Sequence, residues 1–494
     1  MKILLVYPVF PDTYWSFRHA LTFAGKSSAF PPLGLMTVAS MLPDSWEKRL
    51  VDMNVESLSD EDIEWADMVF LSAMIVQKDS LEEVVARCNA KGKKVAVGGP
   101  FVSTGSPELS EADHIFVGEA ETTLPEFIHD LELGVPERIY KADERPSLQE
   151  TPVPDFGLID IENYSSMSVQ YSRGCPFQCE FCDIIEIYGR KPRTKSNHQM
   201  LAELDALKAT GWRGMVFIVD DNFIGNKKNV RGLLPELISW SERNGSPFSF
   251  FTEASVNLAE DDALLEKMEE ARFRRVFLGI ETPAEESLKE AQKSQNTRRG
   301  LLESVKKIQS YGMEVMAGFI VGFDNDPEDI FERQINFIRK SGIPLAMVGL
   351  LTALPDTQLW RRLESEGRLL KESTGNNTDC SLNFVPKMDK ERLVEGYKAV
   401  LQNIYSPREY YQRALDCISH FKKDKILTRK IDVIQDLKSL TKLLLTLGVK
   451  DKGRIRFWNY LIKLVMFYPR EFGHGMTLAA MGYHFRKVTA ANID

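Results

Sequence analysis

Three of the six cysteines fall within eight consecutive residues, Cys175-Pro-Phe-Gln-Cys179-Glu-Phe-Cys182. This C-x3-C-x2-C spacing lets one loop wrap a single cuboidal iron–sulfur cluster with three thiolates. A four-iron cluster ordinarily takes four cysteines, so one iron is left without a protein donor. That open iron can chelate a small molecule and pass it an electron. Two plainer readings compete. Structural zinc takes four ligands, commonly as two C-x2-C or C/H pairs; no second pair follows nearby, and His198 is the only histidine within 20 residues. Purely structural thiols leave the clustering unexplained. Cys88, Cys380 and Cys417 are scattered, and each reads as a small buried hydrophobe. The spacing favours the cluster over both alternatives.

The elements that must position this loop follow from the pattern of apolar runs. Over residues 1–137, the stretches at 2–9, 48–54, 67–74, 93–100 and 113–121 read as strands, with helical patterns such as 81–92 between them. Buried runs spaced by helices predict a parallel, doubly wound, Rossmann-like sheet. In such sheets ligands bind beyond the carboxyl ends of the strands. Here those ends carry Ser72, then Gly98-Gly99-Pro100, then Gly118-Glu119-Ala120-Glu121; ordinary tight turns are about as compatible with these glycines. Residues 138–165 are rich in proline and turn formers and read as a linker. Over 166–372 the alternation resumes, with strands expected in SVQYS, GMVFIVD, FSFFTEAS, RVFLGIE, EVMAGFIVGF and LAMVGLL. Six βα units predict a partial (β/α)6 barrel, with its site at the C-terminal strand ends. Residues 373–494 read as a mostly helical domain. The fold class is α/β.

A chain of 494 residues predicts two or three domains, and 43% hydrophobic with 27% charged residues is a globular composition. The net charge of −9 speaks against a general nucleic-acid binder. The first residues, MKILLVYPVF, lack a signal-peptide cleavage pattern, and no run of about 18 apolar residues can span a bilayer. A cytoplasmic location is expected. Residues 421–470 hold 13 Lys and Arg against four Asp and Glu. Within them GRIRFWNYLIKLVMFYPR mixes cations with aromatic and aliphatic residues. It either packs on the barrel with cationic stems outward, the favoured reading, or makes peripheral membrane contact.

The cysteine loop resembles the radical S-adenosylmethionine (SAM) superfamily, whose signature is C-x3-C-aromatic-C; Phe181 fills the aromatic slot. The resemblance extends over the middle segment and implies SAM contacts at successive strand ends. It places Asp220, Asp221 and Asn222 at the SAM amino group, although an Asp pair there is more often a helix cap. Glu253, Gly279 and Glu281 follow as polar contacts, and Gly318 and Gly322 as backbone partners of adenine. In that family the reduced cluster cleaves SAM, and the resulting radical takes a hydrogen atom from an unactivated carbon. The electron comes from a flavodoxin- or ferredoxin-type donor.

The first segment resembles the cobalamin-binding domain of one large subgroup, through FPPLGLMTVASML, Ser72, VGGP and GEAE. It departs from the classical mutases in having no D-x-H-x-x-G motif, whose histidine ligates cobalt; His114 has the wrong spacing and reads as structural. Tyr14 and Trp15 pack either near the corrin face or, as favoured, in the core or against the linker. The third segment is similar to a helical domain of unassigned role in a narrower subfamily that includes hopanoid and bacteriochlorophyll methylases. EGRL, NFVPKM and IYSPREYYQRA carry that likeness. The resemblance implies a cobalamin-dependent C-methyltransferase acting on an apolar polycyclic lipid or tetrapyrrole. Radical cyclisation without methyl transfer and a non-catalytic corrinoid or cluster carrier are the alternatives.

Overall fold

The computed structural model describes residues 1–105, 109–142, 144–371, 373–376, 378, 380–421 and 433–493. Its first sheet comprises β1 (Lys2–Tyr7), β2 (Glu47–Asp52), β3 (Met68–Ser72), β4 (Lys94–Gly98), β5 (His114–Val117) and β6 (Ile139–Lys141). All pair in parallel, in the order β2-β1-β3-β4-β5-β6. Side chains alternate across β1. Leu4 and Val6 pack with Ile63, Leu81 and Cys88 on one face, and Ile3 and Leu5 with Leu35, Met36 and Phe127 on the other. The strand order reverses between β1 and β3, which opens a crevice at their carboxyl ends. The sixth strand lies inside the stretch expected as a linker from 138. It is three residues long with only Tyr140 buried, so no apolar run marks it.

The expected strand SVQYS is split in two. β7 (Met167–Val169) ends because the Tyr171 N–H donates to Asp220 Oδ1 at 2.8 Å instead of to a neighbouring strand. β8 (Ser172–Arg173) then pairs antiparallel with β9 (Arg193–Thr194), closing the base of the cysteine loop. The remaining strands are β10 (Gly214–Ile218), β11 (Phe248–Ala254), β12 (Phe273–Glu281), β13 (Glu314–Val321) and β14 (Ala346–Leu350). With β7 they form one parallel sheet in the order β14-β13-β12-β11-β10-β7, the expected partial barrel. Its helices include Asn197–Ala209, Lys227–Arg243 and Ile330–Ser341.

The last segment is helical as expected, with Lys390–Ile404, Pro407–Ser419, Val433–Leu445, Arg454–Phe467 and Phe472–Ile493. Residues 422–432 of the cationic stretch lie outside the described residues. Among the described residues no helix is long and apolar enough to cross a membrane. The segment is fastened to the barrel by buried polar bonds. Tyr405 Oη donates to Ala346 O at 2.6 Å, and the buried Arg413 donates through Nε to Ile343 O at 3.0 Å. Cys88 and Cys417 are buried as expected, whereas Cys380 is half-buried with its thiol 3.2 Å from Asn492 O. His114 holds Glu137 O at 2.6 Å, a structural role.

At the opposite end of the barrel from the strand carboxyl ends, Glu314 is fully buried between Arg275 Nε at 3.1 Å and His474 Nε2 at 3.0 Å. Burial alone would raise its pKa, but Arg275 and His474 hold it down to about 2. Breaking a buried ion pair from one side costs about 3–5 kcal/mol. Glu314→Ala is therefore expected to lose about that much in denaturant unfolding, and a loss under about 1 kcal/mol would show that the pair behaves as a surface one.

Candidate active site

The carboxyl ends of the two sheets face one another across a cavity of about 960 Å³. The first domain contributes Ser72, Gly98, Gly99, Pro100 and Gly118 to its lining; the barrel contributes Asp221, Glu253, Glu281 and Gly318; the cysteine loop contributes Phe181. At Gly99, with φ of +96°, a Cβ would stand 2.6 Å from Ser72 Oγ, so only glycine fits this strand end. Aromatic rings of the first domain reach into the barrel mouth. Phe30 lies 5.2 Å from Phe217, which stacks on Phe251 at 4.0 Å. Trp15 meets Phe277 at 5.1 Å, while Tyr14 stacks on Phe485 of the last helix at 4.9 Å. Trp15 and Tyr14 both line the cavity, Trp15 packing against the edge of the core and Tyr14 within it.

The thiol loop is held by its backbone and by two amides. The Cys175 N–H donates to Gly189 O at 3.2 Å and the Cys182 N–H to Cys179 O at 3.2 Å. Asn222 Nδ2 lies 3.7 Å from Cys175 Sγ, and Gln295 Nε2 lies 3.8 Å from Cys179 Sγ. Burial pushes the Cys175 and Cys182 thiols up. Among the described residues no three His, Cys, Asp or Glu side chains converge on one metal-ion position. A cuboidal cluster spreads its thiolates over different irons, so the donor set of three adjacent thiols with amide donors aimed at sulfur fits it.

The strand-end acids divide into structural and cavity-facing groups. Asp220 does not face the cavity: its Oδ1 accepts from Tyr171 N and its Oδ2 from Ser172 Oγ at 2.6 Å, so it anchors the strand leading to the cysteines. Asn222 is likewise occupied, by Cys175 and Ser255. Asp221 and Glu253 line the cavity instead. Burial lifts Asp221 to about 7 and Glu253 to about 8, where Asp221 adds to the lift. Two such carboxyls suit a cationic ligand, and SAM carries both an ammonium and a sulfonium.

Glu281 sits on a bulge of β12, where the register with β13 shifts between Gly279 and Glu281. Its φ is +64°, and its carboxylate pairs with the buried Lys293. Burial opposes the charge on Lys293, but Glu281 and the nearby Cys179 thiol raise its pKa above the ordinary value. Gly279 makes room for this pair, since a Cβ would stand 2.5 Å from Lys293 Nζ. Asn296 Nδ2 donates to the Gly279 and Ile280 carbonyls at the bulge, each at 3.0 Å. Gly322 does not line the cavity; its N–H is taken by Asp326 and it turns against Leu393. Lys293, Gln295 and Asn296 were not found from the sequence, because KSQN has no periodicity and reads as an exposed turn.

Glu119 and Glu121 border the cavity, but their carboxylates are turned onto the barrel. Arg173 reaches Glu119 at 2.6 Å and Glu121 at 2.8 Å, and Arg193 reaches Glu119 at 2.6 Å. They join the two domains rather than offering acceptors to a cofactor.

Comparison with known proteins places this geometry. The model of the radical SAM superfamily matches residues 169–338, that of the B12 binding domain residues 27–128, and a domain of unknown function, DUF4070, residues 357–494. An uncharacterized methyltransferase of Synechocystis sp. is 46% identical over 98% of this chain and 91% of its own length. The hopanoid C-2 methylase of Rhodopseudomonas palustris is 34% identical over 94% of this chain and 89% of its own. The chain belongs to the cobalamin-binding radical SAM family. The bacteriochlorophyllide d C-12(1)-methyltransferase of Chlorobaculum tepidum is more distant, 24% identical over 76% of this chain and 82% of its own. The fold is shared with the radical SAM methyltransferase TsrM of Kitasatospora setae, solved with cobalamin and a [4Fe-4S] cluster, at a TM-score of 0.61, 13% identity and 99% coverage of both chains. As a radical SAM enzyme of this family, the chain takes a [4Fe-4S] cluster, SAM and cobalamin.

Glu253 holds its proton in the folded chain up to about pH 8, while an unfolded chain releases it near the ordinary value of 4.5. The folded state without ligands therefore loses stability as pH rises through that window. Glu253→Gln removes the penalty: in the cofactor-free protein it is expected to raise Tm by about 2–4 °C near pH 8 and to leave it unchanged near pH 4. An equal shift at both pH values, read by scanning calorimetry, would contradict the assignment.

Proposed function

We propose that this chain transfers a methyl group from SAM, by way of cobalamin, to an unactivated carbon of a large apolar metabolite, a polycyclic lipid or a tetrapyrrole. The observation that carries the reading is the single chamber onto which both cofactor-binding sheets open, walled by Phe30, Trp15, Phe217 and Phe277. When bound, the cofactors supply the radical and the methyl group; the protein supplies position and exclusion of water. Cys175, Cys179 and Cys182 hold the cluster. Asp221 and Glu253 would receive the cationic end of SAM, and Lys293, behind the lining, fixes the Glu281 carboxylate that borders it. Ser72, Gly98, Gly99, Pro100 and Gly118 form the strand-end floor that would hold the corrin macrocycle, the glycines allowing its close approach. Apolar walls leave a hydrocarbon substrate desolvated. A flavodoxin- or ferredoxin-type protein donates the electron.

The test is anaerobic reconstitution with iron, sulfide and cobalamin, followed by incubation of lipid and pigment extracts with methyl-labelled SAM. A labelled product one methylene heavier than its precursor is expected. Changing all three cysteines to alanine should abolish iron and sulfide content, SAM cleavage and labelling together. An unlabelled product of unchanged carbon count would instead identify a cyclisation or rearrangement, and no SAM cleavage at all a carrier protein.

A further inference from the structure

The helix Arg454–Phe467 is apolar on two faces, one more than packing alone requires. Its inner face, Phe457, Tyr460 and Leu464, is fully buried, with Phe457 and Tyr460 against Tyr411 of the helix Pro407–Ser419. Its outer face is just as apolar. Ile455, Met466 and Phe467 are 71%, 67% and 67% exposed, and Trp458, Ile462 and Val465 are exposed with them. At about 100° per residue, Ile455, Trp458, Ile462, Val465 and Met466 fall within an arc of about 100°. Arg454 borders that arc on one side; Lys463 and Arg456 border it on the other. The patch continues onto the preceding turn, where Trp458 Nε1 donates to Gly448 O at 3.0 Å beside the exposed Val449. The inner face packs on the helices Pro407–Ser419 and Phe472–Ile493 with the cations exposed, and the outer apolar face is left uncovered among the described residues.

The charge around the patch has one sign. Residues 433–470 hold eight Lys and Arg against two Asp, within a chain of net charge −9. One of those acids, Asp451, is already paired with Arg486. An apolar stripe edged by cations is the form of a helix lying in a bilayer interface, with its side chains in the acyl boundary and its cations at anionic headgroups.

This face is coupled to the chamber. The helix Arg18–Ala24 packs against both Val433–Leu445 and Phe472–Ile493, and Lys442 Nζ donates to Thr22 O at 2.6 Å. His484 Nε2 approaches Thr13 O at 3.1 Å and Tyr14 O at 3.2 Å, and residues 12–16 line the cavity. We propose that the outer face of Arg454–Phe467, with Val449, is a docking surface for an anionic lipid bilayer, which brings the chamber to a membrane-dissolved substrate. This rests on the reading of an apolar substrate and names where the enzyme meets it.

The experiment is co-sedimentation of the reconstituted full chain with vesicles of phosphatidylcholine alone or mixed with phosphatidylglycerol. The wild type is expected to pellet with the anionic vesicles at low salt and to be released as salt rises. The triple variant Arg454→Gln, Arg456→Gln, Lys463→Gln should weaken binding on the order of 100-fold, at about 1 kcal/mol per cation. The triple variant Trp458→Ser, Ile462→Ser, Met466→Ser should weaken it about 10-fold or more. Cobalamin absorbance and SAM cleavage should be unchanged in both, since none of these residues touches the cavity. No pelleting of the wild type, equal pelleting with both lipid compositions, or binding that survives both variants overturns the proposal. So does a wild-type dimer that the serine variant converts to monomer, because the face is then covered by a second copy. Methyl transfer to detergent-dispersed lipid and pigment extract is read alongside: a wild type that transfers without binding vesicles sinks the docking surface alone, and transfer absent in the wild type and in every variant sinks the functional reading.

Discussion

The chamber depends on one buried ion-pair network. Arg173 stands directly before Gly174 and Cys175, and its guanidinium is inserted between Glu119 and Glu121 of the first domain. Taking these charges from water costs several kcal/mol per ion unless geometry and hydrogen bonding offset it. Here the offset is local and multiple: Arg173 and Arg193 both bond Glu119, and Thr151 Oγ1 donates to Glu121 at 2.7 Å. Burial alone would raise Glu121, yet Arg173 holds it down to about 2. The β8–β9 ladder places Arg173 opposite Arg193, two cations that repel unless a carboxylate lies between them. Glu119 is that carboxylate. The position of the thiol loop is thus set from the other domain, and the loop cannot shift without leaving buried charges unpaired.

Close packing around this network leaves room only where side chains are missing. A Cβ on Gly174 would stand 2.7 Å from Gly189 O, so the turn into Cys175 closes tightly against the far end of the same loop. Gly279 gives the same clearance to Lys293 and Glu281. Glu281 keeps a left-handed backbone at a cost of about 1–2 kcal/mol. The cost is met by its pairing with Lys293 and by Gln334 Nε2, which donates to Glu281 O at 3.1 Å. A bulge held this firmly re-aims one carboxylate from the wall of a strand into the chamber.

Much of this was legible in the residue pattern. Strands buried on both faces read as apolar runs, so both parallel sheets and the thiol loop between them could be placed from the sequence. Strand-end glycines marked the cavity floor because close approach requires them. What escaped had weaker local signals. Tyr140 is one buried residue between two exposed ones, too little to mark a strand. Asp220, Glu119 and Glu121 lie at the expected strand ends, but a strand-end acid looks alike in sequence whether it faces a ligand, a backbone amide or an arginine more than 50 residues away. Gly322 fell to the same ambiguity, since its partner Asp326 is fixed by the following turn. Lys293 is polar in a polar turn, and only the bulge on β12 turns it inward.

The aromatic contacts explain why a helical domain of no evident chemistry follows the barrel. Trp15 closes on Phe277 and Phe30 on Phe217, so the segment between β1 and β2 is a plug seated in the barrel mouth. Its far end is fixed within the first domain by Leu35 and Met36 on β1, while at its near end Phe17 adopts a left-handed backbone, with φ of +47°, at the start of the short helix Arg18–Ala24. That near end is supported by the last helix, through Tyr14 on Phe485, Phe17 on Phe485 at 6.2 Å, and Phe23 on Tyr483 at 5.6 Å. Stacked and edge-on ring pairs of this kind add about 0.5–1.5 kcal/mol each beyond the area they bury. Ring contacts thus join this wall to the last helix, while ion pairs hold the thiol loop opposite. The chamber therefore has one side held by buried charges, where the reacting groups must be kept in register, and one side that the C-terminal helices help to position through ring contacts.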